Sequence, residues 1–460
     1  MALRHHDNTD GTPHVFVDVV DAGAKARAGR IACEIDRDLR FSTEHLESYC
    51  LAPWDPVVYD ALVLCAGVEY CDRMRRRPVH QWERRIELRV PVHDPDRWNA
   101  KPVSDALHAA LGFVTGDRWS VSFAARKKAF ASPKQFAFAL PSDIAAVIPF
   151  SEGLDSRAVA GLMHKKLGDQ LIRVRLGTKA FEPVGSSAKQ PFTSIPYKVR
   201  LNVGGALESS ARSRGFKFAM VSGLAAYLVK AGTIIVTESG QGSLGPALVP
   251  VGQTYEDYRN HPLFTDKMET LLAALHGRTI RFEFPRLWHT KGETLAEFVA
   301  ACADGHSWVD TWSCWQQNRQ VSVEGRKRQC GVCAACMLRR LSVHEAGLTE
   351  SPETYVWEDL TAASFQDGAA KEFKRITRAL REYAIAGTLH LDHLASLRHR
   401  KANQGTVALA ALQLARSRGI GEADARGRLD RLLSVHETEW RRFLKSLGPQ
   451  SFVAQWVEQR

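Results

Sequence analysis

The chain has 460 residues, 45% apolar and 25% charged, with a formal charge of +11. That length exceeds one compact core and predicts two to three domains of ordinary globular composition. No apolar run reaches the roughly 18–20 residues that a membrane span requires, which argues against a membrane-spanning protein.

Nine cysteines set the compartment. Cys33, Cys50, Cys65, Cys71 and Cys302 stand singly, whereas the other four crowd between positions 314 and 336. A secreted disulfide framework distributes its cysteines through a small, loop-rich chain; this pattern predicts a reduced cytoplasmic protein with one metal site. The basic balance leaves an anionic partner open. Nucleotides suit it, and no motif supports nucleic acid.

Residues 1–142 are expected to form an N-terminal α+β accessory domain. Met1–Thr12 is polar and reads as a frayed leader, not a secretory signal. His14–Val20, Arg85–Val92 and Ser120–Ala125 are short β-branched runs that predict strands, with a helix over Ser104–Leu111 between the last two. The basic run Arg73–Arg77 is expected to be a solvated helix end, and no catalytic motif stands out in this region.

From Asp143 the pattern changes. Ile144–Phe150 is an almost continuous apolar run, as in a strand buried on both faces. Further strands are expected at Leu171–Leu176, Ile195–Asn202, Thr233–Thr237 and Thr279–Phe284. Helices are expected at Ser156–Lys166, Phe216–Lys230, Pro262–His276 and Thr294–Ala303. Such alternation implies an α/β, doubly wound parallel sheet over residues 143–348. Residues 349–460 are expected to be a C-terminal helical region, with helices at Ala369–Ala386, His390–Arg398, Thr406–Arg418, Glu422–His436 and Trp440–Leu447. Gly387, Gly405, Gly419 and Gly448 would serve as breaks.

The sharpest feature near the middle is Phe150-Ser151-Glu152-Gly153-Leu154-Asp155-Ser156, where the buried run turns into a helix. Backbone N–H groups at a helix start lack intrahelical partners, and the helix dipole adds partial positive charge, so the turn suits an anion. Gly153 permits close approach of the backbone, while Ser151 and Ser156 add hydroxyl donors. Asp155 is placed to cap the helix or to hold Mg²⁺ against phosphates. An ordinary strand–turn–helix junction with Ser/Asp capping has the same residues.

Cys314, then Cys330-Gly331-Val332-Cys333-Ala334-Ala335-Cys336, forms the second constellation. The C-x-x-C-x-x-C spacing turns three thiolates toward one point, and Cys314 completes a tetrahedral S₄ shell suited to Zn²⁺. A closed shell of four protein ligands is structural. An iron–sulfur cluster is the rival for the same donors.

Both constellations resemble those of a known family. Ser151, Gly153, Asp155 and Ser156 match the Ser-Gly-Gly-x-Asp-Ser signature of PP-loop ATP pyrophosphatases, whereas Glu152 replaces its first glycine. The run Thr311-Trp312-Ser313-Cys314-Trp315, the Cys-Gly-x-Cys-x-x-Cys-x-x-Arg run ending at Arg339, and Glu345-Ala346-Gly347 are similar to the zinc segment of the 7-cyano-7-deazaguanine synthases, the QueC family. Lys291, Glu293 and Arg212-Ser213-Arg214 resemble further stretches of that family, and Thr233–Ser239 takes the place of the strand that ends at its substrate pocket. The extensions at both ends resemble the QueC-like proteins of Qat antiphage defence systems (QatC).

The resemblance implies a PP-loop (HUP-like) core that binds ATP through Phe150–Ser156, with Arg212, Arg214 and Lys291 as candidate cations, Mg²⁺ on the phosphates and structural Zn²⁺. Asp155 and Ser156 would be catalytic. The implied substrate is a 7-deazaguanine-type acid, adenylated and then passed to ammonia or to an amine of a partner protein. The alternatives are a PP-loop tRNA-modifying enzyme and a non-catalytic partner-binding module.

Overall fold

The computed structural model describes residues 13–41, 55–77, 83–126, 143–176, 192, 195–201, 208, 212–252, 255–316 and 321–458. The expected leader and Cys50 lie outside them. The chain divides into two compact units, each assembled from separate stretches. The first comprises residues 1–150, 167–236 and 264–283, and the second 151–166, 237–263 and 284–460. These units cut across the boundaries expected at 142 and 348.

The first unit holds two four-stranded sheets. One orders β1 (His14–Val20), β2 (Ile31–Glu34), β4 (Arg85–Val92) and β5 (Arg118–Ala125) as β2-β1-β4-β5. Every pairing in it is parallel. The α+β expectation for this region is therefore corrected to α/β. Parallel neighbours need a crossover, and the crossover before β4 is the helix Pro56–Met74, in which Val57 to Val68 are all buried. A helix buried all round shows no polar face, so its sequence carries no amphipathic signal. The helix Lys101–Thr115 links β4 to β5 and includes the expected Ser104–Leu111.

Arg77 is also not solvated. It reaches Asp72 at 3.0 Å and Asp117 at 2.9 Å, and the fully buried Arg84 joins the same two carboxylates at 2.7 and 2.6 Å. Two buried carboxylates shared by two guanidiniums keep each charge paired where unpaired burial would be prohibitive.

The second sheet runs β10-β9-β6-β7, from β6 (Ala146–Phe150), β7 (Leu171–Arg175), β9 (Thr233–Ile235) and β10 (Arg281–Glu283). All its pairings are parallel too. Sequence order from β6 thus runs outward on both sides, which is the doubly wound arrangement. Its switch point lies between β6 and β9, whose carboxyl ends are the usual place for a ligand in such sheets. The segment expected to be a strand over Ile195–Asn202 contributes only β8 (Tyr197–Val199), which pairs antiparallel with β3 (Leu39–Phe41) instead of joining the main sheet.

In the second unit, the helices Leu154–Leu167, Lys291–Ala301 and Ala334–Glu345 pack around Leu154, Ala158, Leu295, Phe298, Trp308 and Val343. Gly161 is required there, because a Cβ would fall 2.3 Å from the Phe298 ring. A larger core contains the four clustered cysteines with Trp357, Phe365, Leu391, Trp440 and Phe452. Apolar packing runs across position 348, so residues beyond it share a core with the cysteine segment.

The expected helices in the tail fuse into longer ones. Arg378–Ser396 and Glu422–Leu447 are continuous. Gly387 lies inside the first, not at a break. It is glycine because a Cβ there would stand 2.6 Å from Ala334 N, at the start of the cysteine helix. Gly419 and Gly448 do end helices, with φ of 64° and 81°. Among the described residues no helix is long and apolar enough to cross a membrane.

Candidate functional site

Phe150 closes β6, and the turn Ser151-Glu152-Gly153 leads into the helix beginning at Leu154. Within this turn Ser151 Oγ accepts the Gly153 N–H at 3.2 Å and lies 2.9 Å from Ser156 Oγ. Ser156 Oγ is in turn 3.3 Å from Thr237 Oγ1, two residues beyond the end of β9. The segments leaving the two strands at the switch point thus meet through hydroxyls. These two contacts use two of the three hydroxyl protons, so the trio retains one O–H donor and spare acceptor lone pairs for a further partner.

Asp155 and Ser156 are both buried, at 7% exposure. One Asp155 oxygen pairs with Lys291 Nζ, and the two side chains are 9% and 8% exposed. The other, Oδ1, is buried without a hydrogen-bond partner. A buried, unpartnered carboxylate oxygen is costly, and it marks the place where a cation or donor fits. Mg²⁺ takes oxygen ligands of this kind, so the donor fits the cation that the sequence resemblance implies.

Lys291 opens a helix with strong local signals. Thr290 is its N-cap, accepting the Glu293 N–H at 3.1 Å, while the Glu293 carboxylate accepts the Thr290 N–H at 2.8 Å. This capping box fixes the first turn.

Glu238 faces the same charges. Burial, reinforced by the Asp155 charge and opposed by Lys291, pushes its carboxyl up to about 7. Asn260 Nδ2 donates to it at 3.1 Å. A carboxyl balanced near neutrality beside an ion pair is a mark of functional sites. Sequence reasoning did not single it out, although it lies in the Thr233–Ser239 segment expected at the substrate pocket.

The remaining predicted residues have other surroundings. The Leu154 side chain is 1% exposed and belongs to the apolar core, so only its backbone can serve the turn. Phe150 is buried beneath the Arg173 guanidinium, 5.1 Å from the ring centroid. Arg212 donates to the Thr115 carbonyl at 3.1 Å, and burial together with neighbouring Arg77 lowers its guanidinium to about 10. Arg214 begins the helix Arg214–Leu228 and lies over the Phe218 ring at 5.0 Å. The Glu152 backbone carbonyl accepts the Trp312 N–H at 2.6 Å.

That last bond leads to the cysteine cluster. The four Sγ atoms of Cys314, Cys330, Cys333 and Cys336 lie within 4.8 Å of one another. Cys330 and Cys336 are 3.8 Å apart, the edge of about 3.8 Å that a tetrahedron with 2.3 Å zinc–sulfur bonds requires. Backbone N–H groups of Cys330 and Gln316 point at Cys314 Sγ at 3.2 and 3.4 Å, and that of Cys333 at Cys330 Sγ at 3.2 Å. Side-chain contacts with Cys330, Cys333 and Cys336, assisted by the Cys330 backbone N–H, hold the Cys314 thiol far below its ordinary value. Gly331 takes φ 86°, which turns the chain between Cys330 and Cys333. The set fits structural zinc.

Residues 245–347 match the family model of queuosine biosynthesis protein QueC. This stretch is QueC-like. It contains Lys291, Arg339 and all four cysteines, and it excludes the turn Ser151–Ser156. No curated protein matches the chain. The match supports an ATP-dependent, 7-deazaguanine-related activity of ligase type.

Proposed function

We propose that the protein is an ATP-dependent carbon–nitrogen ligase that activates a 7-carboxy-7-deazaguanine by adenylation and transfers it to an amine. The observation that carries this reading is the buried Asp155–Lys291 pair at the first turn behind Ser151 and Ser156, with one Asp155 oxygen left unpartnered.

In this reading, the backbone N–H groups of the turn and the hydroxyls of Ser151 and Ser156 bind the phosphates of ATP. Asp155 would hold Mg²⁺, which supplies charge neutralisation for the leaving pyrophosphate. Lys291 and the helix start stabilise negative charge as it develops at the α-phosphate. The substrate carboxylate attacks that phosphorus, pyrophosphate leaves, and the acyl-adenylate is then attacked by an amine, which expels AMP. With ammonia the product is an amide, and a second ATP would dehydrate it to the nitrile. With a protein amine the amide is the final product. We favour a partner-protein amine in a cytoplasmic antiphage setting, on the resemblance of the extended chain to the QatC proteins.

The test is release of pyrophosphate from ATP and 7-carboxy-7-deazaguanine, followed by mass spectrometry of partner proteins incubated with the enzyme. Pyrophosphate release dependent on the acid is expected, together with a mass increment on the acceptor. Protein that binds ATP without releasing pyrophosphate overturns the ligase reading in favour of a binding module.

A further inference from the structure

The residues that fix Lys291 come largely from outside the QueC-like stretch. Gln241 Oε1 accepts the Lys291 backbone N–H at 2.8 Å. Its amide nitrogen lies 2.8 Å from His436 Nδ1 and 3.3 Å from Glu439 Oε2. The other Glu439 oxygen, Oε1, accepts the Thr290 hydroxyl at 2.6 Å. His436 and Glu439 project from adjacent turns of the long helix Glu422–Leu447.

The donor directions in this network are determined. His436 Nε2 lies 2.9 Å from the Leu391 carbonyl, which can only accept, so the ring proton sits on Nε2 and Nδ1 is an acceptor. The Gln241 amide must therefore present its nitrogen to His436 and Glu439, and its oxygen to Lys291. Burial supports the neutral ring by holding His436 down to about 4. Gln241, Thr290, His436 and Glu439 are all 3% exposed or less. The fit is close, since a Cβ on Gly240 would fall 2.6 Å from the Leu432 side chain and one on Gly292 3.0 Å from Glu439 Oε1.

We propose that Glu439 and Gln241 are positioning residues for the phosphate site, acting through Thr290 and the Lys291 backbone to set the Lys291–Asp155 pair. This rests on the reading of Asp155 and Lys291 as the ATP site. The C-terminal helix is then a working part of that site and not an appendage.

The experiment is a double-mutant cycle on equilibrium Mg²⁺–ATP affinity, measured on the full chain. Glu439→Gln keeps the size but has one acceptor oxygen where the carboxylate has two, so it cannot accept from both Thr290 Oγ1 and Gln241 Nε2 as Glu439 does. It is expected to weaken ATP binding about tenfold, the usual effect of losing a hydrogen bond to a charged group. Gln241→Met removes the bridge from the other side and carries the test if Glu439→Gln lowers zinc content or melting temperature. Lys291→Met should weaken binding further, and adding Glu439→Gln to it should change affinity by less than about twofold, because residues acting through one another are not additive. Additive losses, or unchanged affinity in both Glu439→Gln and Gln241→Met, overturn the inference. A wild-type protein that binds ATP yet releases no pyrophosphate refutes the proposed reaction without affecting this cycle, and one that binds no ATP overturns both.

Discussion

Replacing Lys291 by Met tests whether the Asp155–Lys291 pair is the charged centre of the site. Both side chains are less than 10% exposed. Breaking a pair buried to this extent from one side leaves an uncompensated charge and costs about 3–5 kcal/mol. Spread over a unit of this size, that lowers the melting temperature by about 10 °C. Because one Asp155 oxygen already lacks a partner, no local donor compensates. Asp155→Asn added to Lys291→Met removes the orphaned charge and should recover more than half of the loss. Glu238 gives a second readout. Its carboxyl is raised by burial and by Asp155, and lowered by Lys291, so Lys291→Met should move its titration upward from about 7 and Asp155→Asn should move it downward. Scanning calorimetry and carboxyl-resolved NMR titration measure the two effects. A melting temperature within 2 °C of wild type in Lys291→Met, with an unmoved Glu238, would refute the pairing argument.

Ser156→Ala removes a hydroxyl shared between Ser151 and Thr237, and should reduce pyrophosphate release at least tenfold with little change in melting temperature. Gly387→Ala places a Cβ 2.6 Å from backbone at the start of the cysteine helix. It should destabilise by about 2 kcal/mol and speed zinc loss to a chelator. His261, His390 and His436 are buried and held down to about 4. Their folded values lie below the unfolded value of about 6.5, so their contribution is complete above about 6.5 and lost as pH falls through 4. Glu439 has the opposite sign: burial raises it to about 7, so stability is lost as pH rises through that value. The histidines should make melting temperature fall as pH drops from about 6.5 to 4, Glu439 opposes that slope between 4.5 and about 7, and Glu439→Gln should therefore steepen the acid-to-neutral rise.

The cysteine cluster was legible because its chemistry is written as spacing: three cysteines at intervals of three, with one more upstream, define a shell without knowledge of the fold. The strand–turn–helix around Ser151–Ser156 was legible because its three parts are contiguous. Lys291 could be picked out, yet its pairing with Asp155 could not, because the partner lies on a distant segment brought near only by folding. The helix Pro56–Met74 escaped because an element buried on every side has no stripe to detect, and without that crossover the N-terminal strands gave no sign of being parallel. Gly387 was read as a break because propensity alone disfavours glycine in a helix. The close approach of Ala334, which requires it, is a tertiary fact. Glu439 and His436 carried no local signal at all. They matter through Gln241 and Thr290.

The position of Glu152 joins the two constellations, because its backbone bonds to the segment that carries Cys314. A glutamate where the phosphate-loop pattern has glycine adds a negative charge beside the expected anion. Its backbone is nevertheless held, because its carbonyl accepts the Trp312 N–H at 2.6 Å. Trp312 sits within Thr311–Cys314, a segment anchored on both sides. Arg339 of the cysteine helix donates to Thr311 Oγ1 at 2.5 Å while pairing with Glu350 at 2.8 Å, Gln329 Oε1 accepts the Ser313 N–H at 2.8 Å, and Cys314 is itself a member of the shell. Zinc bound in this shell would therefore fix the segment that holds the Glu152 carbonyl. Purified protein should carry one zinc per chain, and Cys333→Ser should lose it together with folding of the second unit, since metal binding and folding are coupled at such sites. Partial chelation should weaken ATP binding and the helical signal together, because the cysteines share a core with Trp357, Leu391 and Trp440 of the helical region. Trp312→Phe, which keeps the backbone N–H, should leave ATP affinity within about threefold, whereas Trp312→Pro, which lacks the N–H, should lose it. Chelated protein that stays folded with undiminished ATP affinity would show that the metal site and the phosphate turn are independent.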